Sequence, residues 1–315
     1  MIPRTLFDDG HENLRETVRR FIAKEIAPHY STWEKDGVVS REVWLAAGAA
    51  GLLCTWVPTA YGGAGADFLY SIVIAEELGR SGYTGVGFSL HSDIVAPYLL
   101  HYGSEEQKQQ WLPRLVAGEV ITAVAMSEPA AGSDLQGMKT RARRDGDEYV
   151  INGQKTFISN GQLADLVVLA CKTDPDAGGK GISQILIERG MPGFERGRNL
   201  EKVGYHAQDT SELFFSDCRV PIANLLGVEG QGFVQMVQQL PQERLMIAVR
   251  SAVVMEAALQ WTTAYVNDRE VFGRSLANFQ NTRFKLAEIK TKTTVTRAFV
   301  DACITQHLSG DLDAV

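Results

Sequence analysis

The hydrophobic period of this chain changes twice, and that double change limits the fold more than any other feature. Over the first 120 or so residues apolar side chains recur at helical spacing. Leu14, Val18, Phe21, Ile22 and Ile26 share one face, and Pro28 ends the pattern. Asp67 is placed to cap a helix through Leu69, Ile72, Val73 and Leu78, with Gly79 as its close. Ser104-Glu-Glu-Gln107 has the capping-box arrangement and starts another helix, expected to stop or bend near Pro113. Pro97 falls inside a helix beginning near His91, where a kink is expected. Tyr61-Gly-Gly-Ala-Gly-Ala66 reads as a glycine-rich loop, since no strand clearly precedes it.

From Val120 the pattern shortens. Asp145-Gly-Asp147 separates two short stretches, and Tyr149-Val-Ile151 leads into the hairpin signal Asn152-Gly153. Lys155-Thr-Phe-Ile-Ser159 runs to a second Asn-Gly at Asn160-Gly161, and Leu166–Ala170, Ile182–Ile187 and Glu212–Phe215 are further strand candidates. Short strands with frequent turn signals suggest a compact antiparallel barrel or sandwich. After Pro221 helical spacing returns in two long segments, roughly Gly232 to Asn267 and Phe279 to His307. Two such helices cannot bury both of their faces alone. The tail from Ser309 to Val315 carries no domain-closing feature. The expected fold is therefore α+β and multidomain. Residues 1–120 form an N-terminal α-helical domain and residues 121–225 a middle antiparallel β-barrel or sandwich. Residues 226–315 supply the first two long helices of a C-terminal helical bundle, which is expected to be incomplete.

Composition narrows function by exclusion. A formal charge of −7 argues against a nucleic-acid partner, which would favour a basic balance. No apolar run reaches membrane-spanning length, and Met1-Ile-Pro-Arg-Thr5 lacks an apolar signal core, so a cytoplasmic protein is expected. Cys54, Cys171, Cys218 and Cys303 are far apart and the six histidines lack ligand spacing, so neither disulfides nor a metal are expected.

One loop points toward a ligand. Ala125-Met-Ser-Glu-Pro-Ala-Ala-Gly-Ser-Asp134 ends an apolar run, turns at Pro129 and finishes in small residues. Its hydroxyls and main-chain N–H groups suit a phosphate or the edge of a heteroaromatic ring, although small residues after a strand are more often a plain turn. Placed between a helical and a β region, with Gly137-Met-Lys-Thr140 after it, this loop resembles the first flavin segment of the acyl-CoA dehydrogenases. Asn152-Gly-Gln-Lys155 with Phe157-Ile-Ser-Asn-Gly161 is similar to the second such segment. Pro241-Gln-Glu-Arg-Leu245, read as the opening of the long helix, and Arg269-Glu-Val-Phe-Gly273 with Phe279-Gln280 complete the series, in order and over essentially the whole chain. Within the family the likeness is strongest to the long-chain branch, through Ser40–Trp44, Gly87–Ser92, Ala207–Thr210 and Thr296–Asp301.

The resemblance implies FAD as cofactor and α,β-dehydrogenation of a long-chain fatty acyl-CoA to the trans-2-enoyl-CoA. A base takes the α-proton and the β-hydrogen leaves as hydride to flavin N5. Electrons pass on to an electron-transfer flavoprotein, and the chain is expected to form a homodimer or homotetramer. By this resemblance Glu243 is the base. Met126, Ser127, Gly132, Ser133, Phe157, Ile158 and Ser159 line the flavin. Arg269, Phe272 and Gln280 meet the cofactor, usually that of a neighbouring subunit. Ser133, Lys180, Pro241, Gln242 and Arg244 are the substrate-side candidates. Read without the resemblance, Glu243 is more simply a helix-start glutamate favoured by the macrodipole after Pro241, Arg269 a solvated arginine, Lys180 a surface lysine and Phe157 a core residue of a hairpin. Ala130, Ser127 and Phe157 stand where the family commonly has glycine, threonine and tryptophan. Ala130 is tolerable unless that position needs a positive φ. Family members also continue through two further helices carrying more flavin and thioester contacts. Two other readings share these residues: an acyl-CoA oxidase using oxygen, and a non-catalytic relative acting through oligomerisation.

Overall fold

In the computed structural model, which describes residues 3–314, six helices precede the β region: α1 (Asp9–Phe21), α2 (Tyr30–Asp36), α3 (Arg41–Ala49), α4 (Phe68–Ser81), α5 (Ala96–Tyr102) and α6 (Glu105–Val116). Met1, Ile2 and Val315, the outermost residues of the stretches read above for a signal and for the bundle's end, lie outside the described residues. Local chemistry sets most of the boundaries. Asp67 caps α4 by accepting from the Leu69 N–H, and Ser104 with Gln107 forms both bonds of a capping box on α6. At Pro97, where a kink is expected, a π-helical segment, Leu90–Val95, runs directly into α5, with the proline in its first turn.

Two expected helix stops fall elsewhere. α4 passes through Gly79 and ends at Gly82, which adopts φ 81° in the left-handed region. Gly79 is instead a packing residue, because a Cβ there would lie 2.4 Å from Val253 Cγ1. α6 continues past Pro113 to Val116, since the carbonyl the proline leaves unbonded belongs to the exposed Gln109, where water replaces the lost donor.

The middle region is one curled sheet of seven strands: β1 (Thr122–Ala125), β2 (Arg141–Asp145), β3 (Glu148–Ser159), β4 (Leu166–Lys172), β5 (Ile182–Glu188), β6 (Phe194–Asn199) and β7 (Thr210–Pro221). Its order is β1-β4-β2-β3-β7-β6, and β5 pairs with β4 off this path. Pairing is antiparallel except that β1 runs parallel to β4, and β2 touches β4 in parallel at Arg141 and Lys172. Asn152-Gly153 is not a hairpin. β3 runs straight through it because β7 pairs along its length, and the bulge at this point belongs to β7, where Ser216 and Asp217 together oppose Asn152. Gly153 sits at φ 151° against Thr140, whose Cα would be 2.6 Å from an added Cβ.

Beyond the sheet come α7 (Gly232–Asp268), the small hairpin β8 (Glu270–Val271) and β9 (Arg274–Ser275), and α8 (Gln280–Ser309). α7 is long and apolar enough to cross a membrane by length and composition, with a mean hydropathy of 1.2 over its best window, contrary to the expectation that no segment would be. Here its apolar residues Leu245, Met246, Val249 and Ala252 pack with Leu69 and Ile72 of α4 and Val300 and Ile304 of α8. Glu76 of α4, fully buried, accepts hydrogen bonds from Arg4, Arg15 and Arg297. Burial alone would raise its pKa, but the arginines outweigh that and hold the carboxylate below its ordinary range. They thereby join the N-terminal segment, α1, α4 and α8.

His91, in the π-helical segment, joins the helical domain to the sheet. Its Nε2 donates to Leu115 O, which can only accept, so Nδ1 carries no proton and accepts from the Thr122 N–H. Burial pushes its pKa down to about 4 from 6.5. The unfolded state therefore binds the extra proton first, and the stability due to neutral His91 is lost as pH falls from about 6.5 toward 4. Asp93, pushed up to about 6 by burial, works in the opposite sense, losing stability as pH rises from 3.8 toward 6. Comparing unfolding of the wild type and His91→Gln at pH 7 and pH 4.5 isolates the histidine, whose contribution to the difference should be roughly 2–3 kcal/mol. For Gly79→Ala, a helix-propensity gain of about 1 kcal/mol competes with the clash on Val253, and thermal unfolding should show a net loss of about 1–2 kcal/mol.

Candidate active site

The loop Met126–Asp134 is held to β3 by an ion pair inside the protein. Lys155, 1% exposed, sends its ammonium to Met126 O (2.8 Å) and Glu128 Oε1 (2.9 Å), with Met138 Sδ at 3.9 Å. Glu128 in turn accepts from the Lys139 and Thr140 N–H groups, and the Thr156 N–H donates to Ser127 O. Burial acts to raise the Glu128 carboxyl, but the Lys139 N–H and the Lys155 charge outweigh it and keep the group below its usual range. Burial also pulls Lys155 down, against Glu128. The two segments compared with flavin loops are thus bonded to one another, through a lysine whose role the sequence reading missed.

Beyond this clamp the loop is open. Gly132 and Ser133 are exposed, and a Cβ added at Gly132 would meet nothing within 4 Å. Ala130 is not among the residues with positive φ, so a side chain in place of glycine costs nothing there. Phe157 does take φ 61°, at the irregularity of β3 between Lys155 and Ile158, and this turns its ring outward to 69% exposure. It is therefore not a core residue. Ile158 is the reverse: its side chain lies in the sheet's core, 3% exposed, so only its main chain can serve the wall it was expected to cover. Ser159 is half-buried beside it.

Glu243 lies on α7, but Pro241 does not open that helix. The helix begins at Gly232, so Glu243 is well beyond its first turn and the macrodipole gives no reason for a carboxylate there. Its carboxylate is half-buried and accepts from the Tyr98 hydroxyl of α5 at 2.8 Å. Burial raises its pKa, while the Tyr98 bond and the Arg244 charge pull the other way, and the net direction is upward. Tyr98 and Met138 are buried in the same apolar cluster, with Met126 and Leu135 packed against it, which brings the base candidate and the open loop to one region. The Gln242 amide donates to Asp93 O at 2.7 Å, so it braces α7 on the π-helical segment. Arg244 is exposed and donates to Ala314 O, and it forms no ion pair among the described residues. Lys180 is an exposed residue of a short turn that packs on residues 135–137 and on the start of α7.

Arg269, Phe272 and Gln280 are not brought to this region. Arg269 is 26 residues along α7 from Glu243, about 40 Å at helical rise. All three are exposed, Phe272 at 94%.

A helical domain, a curled sheet with an open, aromatic-flanked loop, and a long helix carrying a desolvated carboxylate together make a three-domain dehydrogenase scaffold. Three family descriptions match in the same order: acyl-CoA dehydrogenase N-terminal domain at residues 8–119, middle domain at 123–218 and C-terminal domain at 230–315. The chain belongs to the acyl-CoA dehydrogenase family. It is 47% identical over 313 residues to the mitochondrial long-chain specific acyl-CoA dehydrogenase of Sus scrofa, covering 99% of this chain and 73% of that protein. To the mitochondrial isovaleryl-CoA dehydrogenase of Oryza sativa subsp. japonica it is 39% identical, over 98% of this chain and 76% of the relative. The crystal structure of an acyl-CoA dehydrogenase from Geobacillus kaustophilus superposes with a TM-score of 0.96 at 51% identity, covering 98% of this chain and 82% of that one.

Members of this family are oxidoreductases and FAD flavoproteins. The residues here fit that cofactor: the space over Gly132 admits close approach to the main chain, and the outward Phe157 ring offers a flat apolar face. Both depend on the clamp. Lys155→Met strands the Glu128 carboxylate in the interior and should cost about 3–5 kcal/mol in chemical unfolding. Adding Glu128→Gln to it should recover part of that loss.

Proposed function

We propose that this chain catalyses α,β-dehydrogenation of a long-chain fatty acyl-CoA, with Glu243 as the base. The observation that carries this reading is the half-buried Glu243 carboxylate, raised in pKa and bonded to Tyr98, whose core cluster also takes in Met126 at the start of the open loop. The α-proton of a thioester is weakly acidic, and a carboxylate withdrawn from water is a stronger base toward it. Bound FAD supplies the acceptor for the β-hydride. Met126, Ser127, Gly132, Ser133 and Ser159 would hold it through main-chain and hydroxyl groups, with Phe157 packed on the ring. Ser133 and Lys180 border the approach of the CoA portion, and Arg244 adds positive charge without closing the site.

Arg269, just past the far end of α7, lies too far from Glu243 to serve the same cofactor, and the exposure of Arg269, Phe272 and Gln280 suits contact with the cofactor of a second copy. A homodimer or homotetramer is therefore part of the proposal. Preference for long acyl chains rests on the likeness to the long-chain specific relative. Transfer of the electrons to an electron-transfer flavoprotein, rather than to oxygen, rests on the same likeness.

The test is anaerobic reduction of the flavin by a long-chain acyl-CoA, followed as bleaching of its visible absorbance. Glu243→Gln should keep flavin and ligand binding while slowing bleaching by about 10²–10⁴-fold. Bleaching at the wild-type rate in that variant would remove Glu243 from the role.

A further inference from the structure

We propose that Tyr98 is a positioning residue for the Glu243 carboxylate: its hydroxyl holds Oε1, so that the other oxygen, Oε2, is presented to the substrate. The inference rests on the reading of Glu243 as the base. Tyr98 is fully buried and donates to Oε1 at 2.8 Å. A single donor on one oxygen removes the free rotation that an unanchored carboxylate would have, and it leaves the second oxygen's lone pairs available.

The post itself is rigid. One turn further along α5, Tyr102 donates to Gln238 Oε1 at 2.9 Å and accepts from Gln239 Nε2 at 3.1 Å, and the same Gln239 nitrogen lies 2.9 Å from His101 Nδ1. At the other end Pro97 and the π-helical segment, stapled by His91, set the direction of α5. The α5–α7 seam therefore does not need the Tyr98 bond to stay closed. Gln184 of β5 lies by the same hydroxyl, fully buried, and neither its amide oxygen nor its nitrogen has a hydrogen-bond partner among the described residues. Among the described residues the Tyr98 hydroxyl donates to Glu243 and not to Gln184.

The bond should also set the pH range in which the carboxylate is ionised. The charged and titratable groups around Glu243 are few. α5 brings Tyr98 with Tyr102 behind it, and the π-helical segment brings Asp93, whose main-chain oxygen takes the Gln242 amide. Arg244 is the neighbour on α7, and the tail it binds through Ala314 carries Asp311 and Asp313. On the α4 and α8 side, Arg297 bridges Glu76 and Glu256, which also bind further arginines, and His307 packs at a tilt against Phe68. A donor to the charged form favours ionisation, so its removal should move the Glu243 titration upward.

The test uses Tyr98→Phe, which keeps the ring and deletes the donor. In protein labelled with ¹³C at the glutamate carboxyl, the Glu243 resonance is assigned by its loss in Glu243→Gln and titrated with and without the hydroxyl. The midpoint should rise by about one pH unit in Tyr98→Phe. The acid limb of the acyl-CoA bleaching rate should rise with it, giving about a tenfold deficit well below the limb, with KM changed less than about twofold. A merely structural tyrosine would lower the melting temperature and slow bleaching equally at every pH with the titration unmoved, and that result would overturn the proposal. The titration is independent of turnover. If Glu243→Gln still bleached normally, the base assignment would fail, while the midpoint would still report whether Tyr98 holds the carboxylate.

Discussion

A lysine ammonium can be withdrawn from water only where its N–H groups find acceptors, and Lys155 meets that condition with a carbonyl, a carboxylate and a thioether. Because the carbonyl belongs to Met126 and the carboxylate to Glu128, satisfying the lysine also fixes the path of the loop that follows β1. The Thr156 N–H adds a main-chain bond to Ser127, and the irregularity one residue later turns Phe157 outward. A loop of small residues would otherwise be among the most mobile parts of the domain. Here its first half is tied down from inside, and its second half, Gly132 and Ser133, is left open for a ligand.

The opposite side of the region is organised by helices that meet the sheet at His91. That histidine is held neutral by burial, and it bonds both the end of α6 and the start of β1. It lies in the π-helical segment that delivers Pro97 and Tyr98, so one short stretch both joins two domains and aims a side chain at α7. π-helical insertions are rare and frequently occur at functional sites. The large buried charge cluster around Glu76 lies on another face of α7, where it binds helices together. Burial alone therefore does not mark a catalytic group. What sets Glu243 apart is a raised pKa with one weak donor, where Glu76 has three arginines and a lowered one.

Features carried by neighbouring residues were legible without a structure. The caps at Asp67 and Ser104, the C-terminal ends of α7 and α8, and the turn at Asp145-Gly-Asp147 all follow from contacts within a few residues. Errors arose where tertiary contacts overrode a local signal. Gly79 read as a helix stop but is glycine because Val253 leaves no room. Asn152-Gly153 read as a hairpin but lies inside β3, opposite a bulge of β7, because β7 pairs along the strand. Pro113 and Pro241 read as a helix end and a helix start but sit inside helices that packing sustains.

The sequence by itself determined the order of helical, β and helical regions, the loop rich in small residues at the first junction and the presence of Glu243 on a long helix, because periodicity, caps and motif spacing are properties of nearby residues. Only the tertiary structure decided what each functional side chain touches. Lys155 reaches Glu128 across 27 positions and Tyr98 reaches Glu243 across 145. Desolvation, which raises Glu243 and neutralises His91, depends on what packs around a group from distant parts of the chain. No local spacing encodes that, so the loop could be read along the chain, while the partner of Glu243 and the lysine that secures the loop could not.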